Sequence, residues 1–330
     1  MKRVARTACV AAAFPAALVI VLAVVFRIAS FHREARDAVQ AAPSEGRLIP
    51  AGDVKLFVQE LGPSNGPVAL FTHGMGAWSG LWRPVLEPVA AAGVRCVIVD
   101  LPPFGFSERP KNGDYSRAAQ ARRLWAALDS LGAARASLVG HSFGSGSVAE
   151  AALSSPERVV KLILFAPALG LDAPKTPPSG ALAAILNNRL AAEALVSATL
   201  ANPLMTRRGL TGFMAKTEAA TPERLAVLRR PLASRGYVAG LARWLPGFLF
   251  STEDSPSYRG ASYASLKMPV LLVYGDLDTT TPLAQGRRLK TLIPGADLVV
   301  LPGIGHMPQL EATAEAQELL ISRLAPAARR

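Results

Sequence analysis

The chain has 330 residues, 50% hydrophobic and 18% charged, enough to bury a large core in one big domain or two smaller ones. Its net charge of +12 suits an anionic surface, but no basic helix with interleaved aromatics occurs, which argues against a nucleic-acid partner. Cys9 lies in an apolar run and Cys96 in a predicted buried strand, so no disulfide is expected, and no metal-ligand spacing is present.

The amino-terminal stretch 7–26 is twenty residues without a charge. As a helix it would reach roughly 30 Å, the hydrocarbon thickness of a bilayer. Lys2, Arg3 and Arg6 precede it and Arg27 follows at once. A cleaved signal peptide needs a shorter apolar core and small residues at the cut, and the nearest such site, Val39-Gln40-Ala41, lies far downstream. The expectation is an uncleaved membrane anchor over residues 1–30. A buried helix of a soluble protein is the alternative. Basic residues balance across the span, so orientation rests on the free amino terminus, which favours an extracytoplasmic globular part. Residues 31–46, of mixed charge with Ala and Pro, read as a linker.

Residues 54–60 alternate around Val54, Leu56 and Val58, as in a half-buried strand. A short continuous apolar run at 68–71 reads as a strand buried on both faces and 94–99 as the next buried strand; the runs at 137–139, 159–165, 270–274 and 298–301 read as further strands. Helical spacing marks 115–131, ending at Gly132, and a closing helix over 312–324. Buried strands alternating with helices predict a mostly parallel sheet with helices on both faces, an α/β fold. From 167 to about 265 the strand pattern stops. The segment reads as helices broken by Pro203, Pro222, Pro231 and Pro246, inserted where a lid would sit.

The chemistry centres on Gly140-His141-Ser142-Phe143-Gly144, between a strand and a helix. Gly-x-Ser-x-Gly in that setting lifts a serine hydroxyl onto a sharp turn, with helix N–H groups aimed at the same place. A serine needs a base. Of four histidines, His32 lies next to the apolar span, and His73 and His141 sit inside turn motifs. His306, directly after the last strand, is left as the base. The base needs an acid, and Asp276 and Asp278 compete at the end of the preceding strand.

The order serine, acid, histidine resembles that of the α/β-hydrolases, and the likeness runs from about residue 47 to 324. Gly275-x-x-Asp278-x-x-x-Pro282 looks like the family's acid loop and favours Asp278; Gly303-x-Gly305-His306, followed by Glu311, looks like its base loop. His73-Gly74-Met75-Gly76 resembles the oxyanion turn, and so implies that the backbone N–H groups of Met75 and Phe143 form the oxyanion hole. Two positions depart from the pattern: Pro103 stands where a glycine is usual, and Ser145 where a second glycine is frequent. On this resemblance residues 47–166 and 266–330 form the hydrolase core and 167–265 a helical lid.

Serine at the elbow argues against the branches that use a carboxylate nucleophile. The implied activity is ester hydrolysis through an acyl-enzyme on Ser142, Asp278 and His306, with no cofactor or metal. Trp244-Leu245-Pro246-Gly247-Phe248-Leu249-Phe250 offers an apolar acyl pocket, or simply packs the lid on the body. Carbon–carbon bond hydrolases, amide-cleaving enzymes, acyltransferases and cofactor-free haloperoxidases share the triad. A ligand receptor or a membrane-held scaffold is the alternative of another class.

Overall fold

A computed structural model describes residues 20–173, 179–250 and 253–326. Eight strands form one sheet: β1 (Gly46–Ala51), β2 (Val54–Leu61), β3 (Val68–Thr72), β4 (Arg95–Val99), β5 (Ala136–His141), β6 (Val159–Phe165), β7 (Val270–Gly275) and β8 (Asp297–Leu301). Their order is β1-β2-β4-β3-β5-β6-β7-β8. From β4 to β8 every pairing is parallel; β1 and β2 form an antiparallel hairpin that joins β4 antiparallel. The sheet is therefore mostly parallel, as the apolar runs predict.

The reason those runs carry no alternation is visible in the packing. Leu70, Val97, Leu138 and Leu272 face one core. Their neighbours Phe71, Ile98, Val139 and Val273 face another. Helices cover both sides: α1 (Arg83–Ala91) and, at the chain's end, α11 (Thr313–Leu324) on one face; α2 (Arg117–Ser130), α3 (Phe143–Ser154) and α9 (Leu283–Leu292) on the other. The α2 helix starts where its cap dictates, with Ser116 Oγ accepting from the Ala119 N–H at 3.1 Å.

Between β6 and β7 lie α4 (Gly180–Asn187), α5 (Arg189–Ala198), α6 (Thr206–Thr211), α7 (Pro222–Arg229) and α8 (Tyr237–Leu249). The prolines act differently from one another. Pro222 opens α7 behind a Thr221 cap, a position where its missing N–H costs nothing. Pro246 does not break α8, which runs one turn beyond it. The ring of Trp244 stacks on Phe248 across that turn, with centroids 4.7 Å apart. This segment has its own core, which includes Phe104 from the body.

Residues 31–46 are not a bare tether. The helical residues 20–33 lead into them; the stretch from Arg27 to Asp37 lies against the lid, while Ala41 packs on Phe57, Trp78 and Phe106 of the body. Arg27 pairs with Glu193 at 2.7 Å, and Ser30 Oγ lies 3.0 Å from Ser197 Oγ. Arg33 donates to the Ala201 carbonyl, and Glu34 accepts from the Gly236 and Val238 N–H groups. Of the expected span 7–26, residues 7–19 lie outside the described residues. Among those described, no helix is long and apolar enough to cross a membrane. The visible part, residues 20–26, is helical, and Ile20, Val21, Val24 and Val25 are exposed.

Candidate active site

The parallel strands all end on one side, and the residues singled out above gather there. Between β5 and α3 the chain turns at Ser142, whose φ of 51° is in the left-handed region. The turn is possible because its neighbours have no side chain. A Cβ on Gly144 would lie 2.5 Å from the His73 carbonyl oxygen, and one on Gly140 would lie 2.7 Å from the Ser145 Cα. Ser145 is itself fully buried behind the turn, so a small side chain is accommodated where glycine was expected.

His306 stands in the loop after β8. Its Nε2 lies 2.8 Å from Ser142 Oγ and its Nδ1 lies 2.9 Å from Asp278 Oδ2. All three side chains are buried. Asp278 also accepts from the Thr280 and Thr281 N–H groups, both at 2.8 Å, and from Thr281 Oγ1 at 2.7 Å. Burial pushes its carboxyl up, but the hydrogen bonds from His306 and Thr281 together hold it below the ordinary carboxylate value. Asp276 is elsewhere: its Oδ1 accepts from the Gly303 N–H at 2.7 Å and ties the two loops together. An ionised Asp278 fixes Nδ1 as the protonated nitrogen of His306 and leaves Nε2 free to accept from the serine.

His73 and His141 hold the frame. His73 Nε2 accepts from the Leu101 N–H at 2.9 Å, so its Nδ1 donates to the Gly74 carbonyl. His141 Nε2 donates to the His306 carbonyl at 2.9 Å. Burial pushes them down to about 4 and about 3, so both stay neutral. The N–H groups of Met75 and Phe143 have no acceptor among the described residues and border the same cavity as Ser142. Two free donors beside a serine hydroxyl suit an oxygen that becomes negative.

That cavity holds about 350 Å³. Its walls are mainly apolar: Leu81, Leu200, Leu210, Phe213, Leu232 and Phe248 come from both body and lid. Of the lid run 244–250 only Phe248 reaches it, while Trp244 packs on Phe104 and Phe143 at 5.0 and 5.6 Å. Among the described residues, the one basic side chain on its border besides His306 and the neutral His141 is Arg208, exposed on α6. Pro103 leaves the neighbouring loop intact, with Phe104 and Phe106 buried and Asp100 accepting from the Ser79 and Phe106 N–H groups.

Two residues carry more weight than the sequence assigns them: Thr281, which had no role there, and Glu311, which was named only as following the base loop. Thr281 Oγ1 touches both Asp278 Oδ2 and, at 3.2 Å, His306 Nδ1; its position three residues after the acid was the available signal. Glu311, in the single turn α10 (Pro308–Glu311), accepts from the N–H groups of Gly305, Met307, Ala215 and Lys216. It fastens the loop of His306 to the lid. Among the described residues no group of ligating side chains suits a metal ion.

Fold and geometry together define a hydrolase of the α/β type. The family model for the alpha/beta hydrolase fold matches residues 67–313, and the chain belongs to that family. Among curated relatives it is 30% identical to the 2-hydroxymuconate semialdehyde hydrolase of Pseudomonas sp. strain CF600, over 88% of this chain and 98% of that one. Among solved structures it is similar to the meta-cleavage product hydrolase CumD of Pseudomonas fluorescens, with a TM-score of 0.67, 23% identity, and 84% and 96% of the two chains covered. It is also similar to a membrane phospholipase A described as a bacterial virulence factor, with a TM-score of 0.66 and 22% identity, over 99% of this chain and all of that one.

Proposed function

We propose that the protein is a serine hydrolase in which Ser142, His306 and Asp278 form the triad and the Met75 and Phe143 N–H groups the oxyanion hole. The observation that carries this reading is the unbroken chain from Ser142 Oγ through His306 to Asp278, at 2.8 and 2.9 Å. Ser142 attacks a carbonyl carbon as His306 Nε2 takes its proton. The oxyanion collapses, His306 returns the proton to the leaving group, and an acyl-enzyme remains. Water, activated by the same histidine, releases the acid.

For the bond cleaved, the cavity and the relatives speak for different substrates. The apolar walls suit a carboxylic ester with a hydrophobic acyl group. The relatives' names do not speak for an ester; they favour hydrolysis of a carbon–carbon bond in an unsaturated keto acid, and Arg208 at the cavity border is a cation that such a substrate's carboxylate would need. An aryl ester series and a 2-hydroxy-6-oxo-dienoate, assayed side by side, decide between them. A kcat/KM on the dienoate at least a hundredfold above the best ester, reduced in Arg208→Gln, establishes carbon–carbon cleavage. Ester turnover rising with acyl length, and indifferent to Arg208→Gln, establishes the esterase. Loss of neither activity in Ser142→Ala would overturn the common mechanism.

We also infer that residues 7–26 anchor the protein in a membrane with the hydrolase outside the cytoplasm. The support is the uncharged twenty-residue stretch, its basic flanks, and the exposed apolar residues at its described end. Release of the protein from membranes by carbonate at high pH would sink this.

A further inference from the structure

A second cavity, of about 700 Å³, lies against a different face of α8. Gly236, Gly240 and Arg243 border it, at helical spacing, while Tyr237 and Phe248 border the cavity of Ser142. Its opposite walls come from Arg109 and Lys111 on the body and from Arg189 and Glu193 on the lid. Among the described residues four basic side chains therefore meet one acid, and that acid is already used: Glu193 Oε1 binds Arg189 and Oε2 binds Arg27.

Arg109 is the unusual member. Its Nε and Nη2 are covered and hydrogen bond to nothing among the described residues. It has no ion pair there, and its guanidinium lies only over the Tyr237 ring, 5.4 Å from the centroid. Gly240 makes the space for it, since a Cβ there would come within 2.9 Å of the Arg109 Nε. The nearby acid, Glu34, is occupied by the Gly236 and Val238 N–H groups. Burial pulls the Arg109 pKa below its ordinary value. A largely covered guanidinium with no ion pair and two unused N–H donor groups is costly, so an anion in the cavity completes its environment. Lys111 and Arg243 are exposed at the rim and have no ion pair among the described residues.

We propose that this cavity binds an oxyanion of the phosphate class, with Arg109 as the counter-ion at its base and Lys111 and Arg243 at its rim. Inorganic phosphate is the smallest such ligand and the headgroup of an anionic phospholipid the largest that the volume suits. Arginine matches phosphate geometry, and several convergent cations favour its higher charge. Nothing in this depends on which bond Ser142 cleaves.

The full chain in mild detergent is titrated with potassium phosphate against potassium chloride at equal ionic strength. In parallel it is incorporated into nanodiscs with and without phosphatidylglycerol, and its melting temperature is read in each. Arg109→Met and the double variant Lys111→Gln, Arg243→Gln are carried beside it; the double variant touches only exposed side chains and keeps normal ester turnover. Saturable phosphate binding, weakened at least tenfold in both variants, identifies a site for free phosphate. Stabilisation by phosphatidylglycerol alone, lost in both variants, identifies a headgroup site. Binding that both variants leave unchanged, or no response in either arm, overturns the proposal. The phosphate arm stands whether or not residues 7–26 enter a bilayer; the lipid arm rests on that reading.

Discussion

Replacing Glu311 by alanine strips the acceptor from four backbone N–H groups at 2.7 to 3.1 Å. Two of them, on Gly305 and Met307, belong to buried residues and flank His306; those of Ala215 and Lys216 belong to exposed ones. A buried orphan N–H costs about 1–3 kcal/mol, and a donor that water can reach loses only about 0.5–1.5 kcal/mol. The sum is about 3–9 kcal/mol, a large share of the roughly 5–15 kcal/mol that holds a domain together. At about 2 °C per kcal/mol for a chain of this size, Glu311→Ala should melt roughly 10 °C below the wild type. Glutamine is the informative control. Its one oxygen can serve the three donors that share Oε2, leaving its NH₂ against Met307, so it should recover more than half of the loss. Differential scanning fluorimetry gives the melting points and an aryl ester gives turnover. Turnover of Glu311→Ala should fall at least tenfold, because the loop carrying His306 loses its clasp. A melting point within 2 °C of wild type together with unchanged kcat would refute the reasoning.

Thr281→Val should lower kcat about tenfold with KM unchanged, since Asp278 loses one of its hydrogen bonds; Thr281→Ser should restore it, and equal rates for all three would sink the assignment. The Asp278 carboxyl lies below its ordinary value of 3.8 in the folded protein, so it stabilises the fold above that pH and the contribution is lost as the pH falls through the lowered value. Acid unfolding of wild type and Asp278→Asn should therefore converge below pH 3.8; a gap that widens there contradicts the sign. Phe248→Ala enlarges the cavity of Ser142 and removes the stack on Trp244. Its ester preference should shift toward longer acyl groups by severalfold in kcat/KM, checked across a chain-length series, and it should melt a few degrees lower.

The buried parallel strands were legible because each is a short apolar run with a turn after it, and the elbow because its glycines and serine sit at one such end. The hairpin strand β1 was not, since Gly46 and Pro50 interrupt its pattern; Pro50 is tolerated because β1 is a sheet edge. Helix α1 was hidden by Pro84 and Pro88, the first in the opening turn and the second inside. Of the site, the choice of Asp278 over Asp276 came from family likeness, and the geometry about Thr281 was invisible because one hydroxyl between the acid and the base leaves no periodic mark. The mixed charge of residues 31–46 reads as solvated surface in a sequence. In the fold Arg33 and Glu34 spend their hydrogen bonds on lid backbone, which no pattern of residue types announces.

That attachment has a practical edge. The amino-terminal stretch grips α5, the loop after it, and the start of α8 through Arg27, Ser30, Arg33 and Glu34, rather than gripping the sheet. Trimming the chain at residue 42 to obtain a convenient soluble fragment would uncap α8, free Glu193 from Arg27 and expose Ser197. The trimmed enzyme would then report on a loosened lid rather than on the native entrance. The leading segment is thus packed on the same helix that brings Phe248 to the Ser142 cavity.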